Sequence, residues 1–454
     1  MPYILMHKNI KVMCFELTPA NRIGKILEIY DFEHLPFSTK TDIRTSQKAI
    51  AEWWSDRSIP VSRDDYFNIQ KALPGDTSMS LVVKARALSL NDQYWIKRED
   101  EELDYDDVSL FTNKYSNDIG DVIIGIKDSG DVNYYSPDST TNGNLKKRWK
   151  SIDGKNNLLK AGSGSTQYEI FNEIIASKIM DMLGIDHVKY ELVIDHDHIY
   201  CASSNFVSYN EDFVTAYQLR ASQKQKNDAS LYAHILSVCE ALGVPNYKKK
   251  IHQMLLIDYL VGNVDRHLNN FGVMRDAKSL EFLRVSPIYD TGSCLGFDMS
   301  DQMLSQLSSL DWKPFQSHKI KDQLMLIDDY SWLDVDALKS IPKEIDSLML
   351  KFEAYLSTSR RSAILDFLVR RINNILQTLG IAETITYITK AMTPLEKKII
   401  DYFKKHNGEL HDLKPLLQET GYAYITVYRV LSNLVVKGII KRTGSKKTGY
   451  WMLA

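Results

Sequence analysis

LIDYLVGNVDRHLNNFGVMRDAKSLEFLRVSPIYDTGSCLGF, residues 256–297, is the stretch around which the rest of this chain is arranged. Met254 to Val261 is apolar enough to be the buried end of a helix, and Gly262 is a natural stop for it. Asn263, Asp265, Arg266, His267, Asn269 and Asn270 then crowd into eight residues. Phe271-Gly272-Val273-Met274 returns the chain to the core. After a charged turn, Arg284 to Tyr289 reads as a short strand that delivers Asp290-Thr291-Gly292. Two carboxylates and an amide thus stand at the ends of apolar elements, where side chains are held rigidly at a cleft.

That arrangement suits phosphoryl transfer. The reaction needs a carboxylate to accept a hydroxyl proton, and an amide plus a second carboxylate to hold Mg²⁺ against a triphosphate. Protein kinases place the base Asp five residues before the metal-binding Asn and supply another Asp from a later turn ending in Gly. Here Asp265 and Asn270 are five apart, and Asp290-Thr291-Gly292 stands where Asp-Phe-Gly would. Any one of these residues alone reads as ordinary turn chemistry. The combination, with a His two residues after Asp265, points to a site.

At Gly262-Asn263-Val264-Asp265-Arg266-His267-Leu268-Asn269-Asn270-Phe271, followed by Pro287-Ile288-Tyr289-Asp290, the sequence resembles the HipA kinases. These are Ser/Thr kinases with a two-lobed, protein-kinase-like fold, several of them toxins of toxin–antitoxin pairs. The resemblance implies that Asp265 is the catalytic base, that Asn270 and Asp290 are Mg²⁺ ligands, and that His267 supports the catalytic loop. It extends more weakly from about Ile119 to about Leu379.

A chain of 454 residues has room for about three domains at ~150 residues each. With 44% hydrophobic and 25% charged residues it can bury several cores, and a net charge of -2 gives the whole chain no bias toward nucleic acid or membrane. Cys14, Cys201, Cys239 and Cys294 lack CxxC spacing, which argues against a zinc site or disulfide scaffold and for a reducing, cytoplasmic setting. The N-terminus is interrupted by Lys8 and Lys11 and lacks a signal-peptide core, and no run approaches the ~18 apolar residues of a membrane span.

Residues 1–117 read as a mixed α/β module, with a strand at Ile10–Leu17, a helix near Lys48–Trp54, and Tyr94 and Trp95 in a core. No chemistry is assigned to it; relatives carry a small domain in this place. Residues 118–212 read as a kinase N-lobe. Val122–Ile126 and Asn133–Tyr135 look like strands around a small-residue loop, Pro137 to Asn144, ahead of Lys160. A nucleotide kinase needs a mobile loop over the phosphates and a Lys reaching them from a strand. By resemblance Lys160 is that Lys, and the Ser139, Thr140 and Thr141 hydroxyls are candidate autophosphorylation sites beside the nucleotide. Gln167 to Gly184 is a helix by its apolar arc. Glu173 lies off that arc, so only the resemblance pairs it with Lys160. Asp195-His196-Asp197-His198 reads as a hairpin turn rather than a metal site. The strand from Cys201 to Val207 should be the hinge, with Ser204, Asn205 and Phe206 facing the adenine. Residues 213–385 read as a helical C-lobe with a polar linker from Ser222 to Ala229, and Trp312-Lys313-Pro314-Phe315 as a loop beside the cleft.

Residues 391–454 carry a separate message. Thr393-Pro394-Leu395-Glu396 is a capping-box start. Helices at Leu395–Lys405, Leu410–Glu419 and Ile425–Lys437, then strands at Ile439–Arg442 and Thr448–Met452, describe a winged helix-turn-helix. From Thr393 to Ala454 there are 11 Lys and Arg against 5 Asp and Glu, a local surplus that matches a DNA phosphate backbone. Thr426, Tyr428, Arg429 and Asn433 would face a groove, with Lys446 and Lys447 on the wing. The rival use of such a module is dimerisation or protein docking.

The expected fold is therefore α+β and multidomain: a two-lobed HipA-like core, a small N-terminal α/β module and a C-terminal winged helix. The expected function is a Mg-ATP-dependent serine/threonine protein kinase able to phosphorylate itself. Its expected partners are a protein substrate and DNA, with no membrane, and self-association is left open. The alternatives are a transcriptional regulator whose kinase-like region only senses nucleotide, and a small-molecule or lipid kinase. A built-in DNA reader departs from relatives that use a separate DNA-binding antitoxin, and leaves toxin and signalling roles equally open.

Overall fold

The computed structural model describes residues 2–40, 47–63, 66–127, 130–143, 145–307, 315, 320–387, 392–437, 439–444 and 449–453. By internal packing the chain divides into one unit of residues 1–297 with 309–332, and a second of residues 298–308 with 333–454.

In the first unit, β1 (Tyr3–His7), β2 (Ile10–Leu17), β3 (Ile23–Ile29) and β4 (Tyr94–Arg98) form an antiparallel sheet in the order β3-β2-β1-β4. Helices α1 (Gln47–Ser55), α2 (Tyr66–Ala72) and α3 (Ser78–Lys84) lie between β3 and β4 in sequence. Alternation decides which face is which. Leu5, Met13, Phe15 and Ile96 bury against Trp53 and Trp54 on one side, while Ile4, Met6 and Trp95 pack with Tyr105 and Trp149 on the other. Because Trp149 belongs to the following sheet, the N-terminal module shares a core with it.

After α4 (Tyr105–Val108) comes α5 (Asp118–Ile124), where strands were expected at Val122–Ile126 and Asn133–Tyr135. The correction follows from periodicity: Ile119, Val122 and Ile123 recur at helical spacing and bury together against Ile69, Leu73 and Leu81. Gly125, at φ 83°, closes the helix, and no strand forms at Asn133–Tyr135.

Strands β5 (Lys147–Ile152), β6 (Lys155–Lys160), β7 (Glu191–Asp195) and β8 (His198–Ser204) make a second antiparallel sheet, ordered β5-β6-β8-β7. Helix α6 (Tyr168–Met182) packs on β7 and β8. His196 and Asp197 form the β7–β8 turn with φ of 49° and 62°, and Asp195 pairs with Lys150 and lies near Arg148. Among the described residues no His/Cys/Asp/Glu group is arranged to hold a metal ion.

The chain then forms β9 (Glu211–Thr215), a strand where a helical segment was expected to begin. Helices α7 (Ala216–Ser222), α8 (Leu231–Ala241) and α9 (Tyr247–Val261) lead to β10 (Gly272–Asp276) and β11 (Phe282–Val285), which join β9 in the order β11-β10-β9. The charges on β9 are paired. Glu211 binds Arg284, and buried Asp212 accepts from Arg275 and lies 3.0 Å from His7 of β1.

The second unit contains α10 (Asp301–Gln306), after which α11 (Ile320–Leu324) belongs to the first. Helices α12 (Val335–Leu350) and α13 (Thr358–Thr378) then pack together. Beyond them, α14 (Pro394–Lys405), β12 (Glu409–Leu410), α15 (Leu413–Thr420), α16 (Tyr424–Val436), β13 (Ile440–Thr443) and β14 (Tyr450–Leu453) share a core of Ile399, Phe403, Leu416, Val427, Leu431, Leu434 and Trp451. The three strands form an antiparallel sheet ordered β12-β14-β13; β12 stands where the helix expected at Leu410–Glu419 was to begin, because Glu409 and Leu410 pair with Met452 and Trp451 of β14. The Thr393–Glu396 capping box is present. No helix among the described residues is long and apolar enough to cross a membrane.

Candidate phosphoryl-transfer site

Helix α9 is buried along most of its length and ends at Gly262, whose φ of 66° is a left-handed stop. Inside its last turns sits Asp258, fully buried, which accepts from Arg266 Nε at 2.9 Å and Nη2 at 2.9 Å. Burial opposes the Arg266 charge, but Asp258 beside it outweighs that cost and raises the guanidinium pKa. Arg266 Nη1 also donates to the carbonyls of Asn270 and Tyr289, at 2.7 and 2.5 Å. One buried cation therefore ties the helix end to both segments that carry candidate site residues. Asn263 adds a second tie: its Nδ2 donates to Asp258 Oδ1 at 2.8 Å, and its Oδ1 accepts from Asp265 N at 3.1 Å.

This scaffold turns Asp265 outward to solvent while its own carbonyl accepts from Asn270 Nδ2 at 3.1 Å. The donor half of the Asn270 amide is used within the loop, so the oxygen is what the side chain can offer a cation. His267 N donates to Asp265 O at 2.9 Å, and its ring Nδ1 accepts from Asn269 N at 3.3 Å.

On the other wall, Lys160 ends β6 and is 6% exposed, with Nζ 3.2 Å from Glu173 Oε1 and 2.6 Å from Asp290 Oδ1. Burial disfavours its charge, yet Asp290, Tyr190 and Glu173 more than compensate and raise its pKa well above the ordinary lysine value. For Asp290, burial again opposes ionisation. The charges of Lys160 and Lys147 and the Lys160 hydrogen bond prevail and hold its carboxyl well below the usual range. Asp290 has φ 57°, a left-handed conformation that a non-glycine residue adopts at some cost, and its N–H donates to Tyr190 Oη at 3.2 Å.

Helix α6 fixes the turn after Asp290. Glu173 Oε2 accepts from Thr291 N at 2.9 Å and Thr291 Oγ1 at 2.6 Å, while Asn172 Nδ2 donates to the carbonyls of Gly292 and Cys294. The turn lies so close that a Cβ on Gly292 would stand 3.2 Å from Glu169 and Glu173 atoms. A side chain there would require these neighbours to give by a few tenths of an ångström.

The structure thus brings together Lys160, Glu173 and Asp290, and separately Asp265, His267 and Asn270, with Arg266 bridging the two groups through Asn270 and Tyr289. Glu173 meets Lys160 although it lies off the apolar arc of α6. In the expected hinge, Ser204 Oγ donates to Asn157 Oδ1 and Asn205 Nδ2 to Leu90 O, while Phe206 packs its ring 5.2 Å from that of Tyr289. Sequence reasoning missed Asp258, Thr291 and Tyr190 as parts of the site, and Lys147 as a second cation acting on Asp290. Of these, Asp258 left a signal, as a charge inside the apolar run Met254–Val261.

The Ser139–Thr141 segment departs from expectation. It is not an exposed cover but a buried 3-10 turn, Pro137–Thr140. Ser139 Oγ donates to Tyr134 O, Thr140 Oγ1 to Leu88 O at 2.6 Å and Thr141 Oγ1 to Pro137 O at 2.8 Å. Small polar residues were read as mobile because residue type alone does not show the carbonyls they donate to, Tyr134 and Pro137 nearby and Leu88 far off in sequence. Asp138, at the base of the turn, accepts from Trp149 N at 2.8 Å, and burial, partly offset by that bond and by Arg148, pushes its pKa up to about 7.

That raised pKa has a sign. Between the ordinary carboxyl value and about 7 the folded chain holds a proton that the unfolded chain releases, so this contribution to stability is lost as pH rises through that window. Asp138→Asn should leave the melting temperature near wild type at about pH 4, at the foot of that window, and raise it above wild type at about pH 8. Thermal melts of both proteins at the two pH values check this.

In the C-terminal module, Thr426, Tyr428, Arg429 and Asn433 are exposed on α16. Lys446 and Lys447, expected on the wing, and Trp312, Lys313 and Pro314, expected beside the cleft, lie outside the described residues.

Residues 139–346 match the family described as the HipA-like C-terminal domain. A segment of 149 residues is 27% identical to the serine/threonine-protein kinase CtkA of Helicobacter pylori, covering 31% of this chain and 45% of that protein. The chain therefore matches less than half the length of this curated relative. Among solved structures, the H. pylori proinflammatory kinase CtkA is similar with 20% identity and a TM-score of 0.41, over 54% of this chain and 94% of that one. HipA of Shewanella oneidensis, solved with HipB and its operator DNA, is similar with 13% identity and a TM-score of 0.47, over 85% of this chain and 100% of that one.

Proposed function

We propose that this chain is a Mg-ATP-dependent serine/threonine protein kinase of HipA type. The observation that carries the reading is the Lys160–Glu173–Asp290 cluster, set by Arg266 beside a loop that presents Asp265 and Asn270. The match of residues 139–346 and the likeness to a serine/threonine kinase support it. Asn270 and Asp290 would hold Mg²⁺: an ionised carboxylate and an amide oxygen are the hard oxygen donors this ion takes. When bound, the ion neutralises charge on the triphosphate. Lys160 supplies a fixed positive charge for the phosphates, and Glu173 keeps it in place. Exposed Asp265 accepts the proton of the attacking hydroxyl, and His267 and Asn270 brace the backbone that carries it.

Residues 392–453 have the helix–strand–helix–helix–strand–strand order of a winged helix, and their basic surplus supports DNA as the ligand. On this reading the chain carries its own DNA reader, and a toxin-like or stress-signalling kinase fits it.

Incubation with Mg·ATP followed by intact mass and peptide mapping tests the kinase reading. Self-phosphorylation within Ser139–Thr141 requires the buried turn to open first. It should therefore be slow, and a phosphate of about -1.5 to -2 charges should then keep the turn out and lower activity. Transfer to neither the chain nor any protein substrate would leave a nucleotide sensor as the better description, and phosphate found only elsewhere would remove the Ser139–Thr141 assignment.

A further inference from the structure

Helix α16 buries Val427, Leu431 and Leu434, which fixes the direction of every other side chain on it. Opposite that buried seam, at helical spacing, stand Ile425, Arg429 and Ser432. Ile425 is 73% exposed and Tyr424 54% exposed, and the rings of Tyr424 and Tyr428 stack at 5.9 Å beside this stripe. Tyr428 in turn meets Trp451, over which the Arg442 guanidinium lies at 4.9 Å. The exposed apolar groups are therefore not a patch apart from the basic surface. They sit between Arg429 and Arg442, on a module whose Lys and Arg outnumber its Asp and Glu by 11 to 5.

An isoleucine at the outermost position of a solvated helix gains nothing from the fold. Set one turn before an arginine, it has a clear use on DNA. In the major groove the thymine C5-methyl is the apolar feature of the base edges, and guanine O6 and N7 form the pair that arginine reads in bidentate fashion. Residues near the N-terminus of a recognition helix are those that reach base edges. We infer that the outward face of α16 reads a thymine next to a guanine, Ile425 covering the thymine methyl and Arg429 binding the guanine. The Tyr424–Tyr428 stack covers the adjoining sugar or methyl surface. This rests on the DNA-binding reading of the module and adds what it would select.

The test uses the full-length chain. Duplexes are selected from a random library, and binding of the preferred site is compared with the same duplex carrying deoxyuracil for thymine. Removing one buried methyl should weaken binding roughly fourfold. Ile425→Ala should weaken binding to the thymine duplex by a similar factor and abolish the difference between thymine and uracil, because the two changes remove the same contact. Ile425 is exposed, so an unchanged melting temperature shows that the variant folds. Arg429→Ala should relax selection at the guanine alone. Selection followed by equal binding of thymine and uracil duplexes overturns this inference and leaves the DNA reading standing. No binding to any duplex at low salt overturns both, and assigns the exposed face to a protein partner.

Discussion

Asp290→Asn is expected to abolish phosphoryl transfer and to weaken Mg·ATP binding, whereas Asp265→Ala abolishes transfer with Mg·ATP binding close to wild type. The difference follows from placement. Asp290 lies within the Lys160–Glu173 cluster and is held ionised there, so neutralising it removes a cation ligand and a partner of Lys160 together. Asp265 faces solvent from a loop braced through its backbone, and it makes no ion pair within the chain among the described residues. Losing a general base typically slows transfer by on the order of a hundred- to ten-thousand-fold. Nucleotide affinity measured with and without Mg²⁺, alongside transfer rates, separates the two routes. Normal transfer by either variant would remove the site assignment.

The second large effect lies beneath the surface. Asp258→Ala leaves the Arg266 guanidinium buried without its carboxylate, and breaking such a pair from one side costs about 3–5 kcal/mol. Both side chains are fully buried, and Arg266 also holds the carbonyls of Asn270 and Tyr289. Asp258→Ala should therefore lower the melting temperature and lose transfer activity, although Asp258 touches no substrate. Changing both partners, Asp258→Leu with Arg266→Met, should recover much of the stability and little of the activity, because an apolar pair packs but cannot hold those two carbonyls. If the double variant regains transfer, the bracing role of Arg266 is wrong.

The spacing of Asp265, Asn270 and Asp290 was legible because the three stand in short segments at the ends of apolar elements, Asp265 and Asn270 just after α9 and Asp290 just after β11. Helix α6 was legible from its apolar arc, and the three helices and last two strands of the C-terminal module from caps and glycines, but not the short strand β12, which took the start of the helix expected at Leu410–Glu419. What escaped depends on partners far apart in sequence. Strand β9 was hidden because it carries Glu211 and Asp212, whose charges are met by Arg284, Arg275 and His7 from other strands. Buried Ser139, Thr140 and Thr141 looked like a mobile loop because small polar residues carry no burial signal of their own; Thr140 donates to the remote Leu88 carbonyl, while Ser139 and Thr141 donate to Tyr134 and Pro137 nearby. Helix α5 was misread because a short apolar run is ambiguous until its i, i+3, i+4 burial is seen.

Glu173 has one oxygen on Lys160 and the other on Thr291, so a single side chain joins the end of β6 to the turn after Asp290. On the proposed kinase reading, effects of substitution at Lys160, Glu173 and Asp290 should therefore overlap: the first loss removes most of what the three provide jointly, and later losses have little left to remove. For a drifting gene this makes the trio one heritable character. If the chain is the kinase proposed above, a lineage that keeps transferring phosphate has to carry all three forward together.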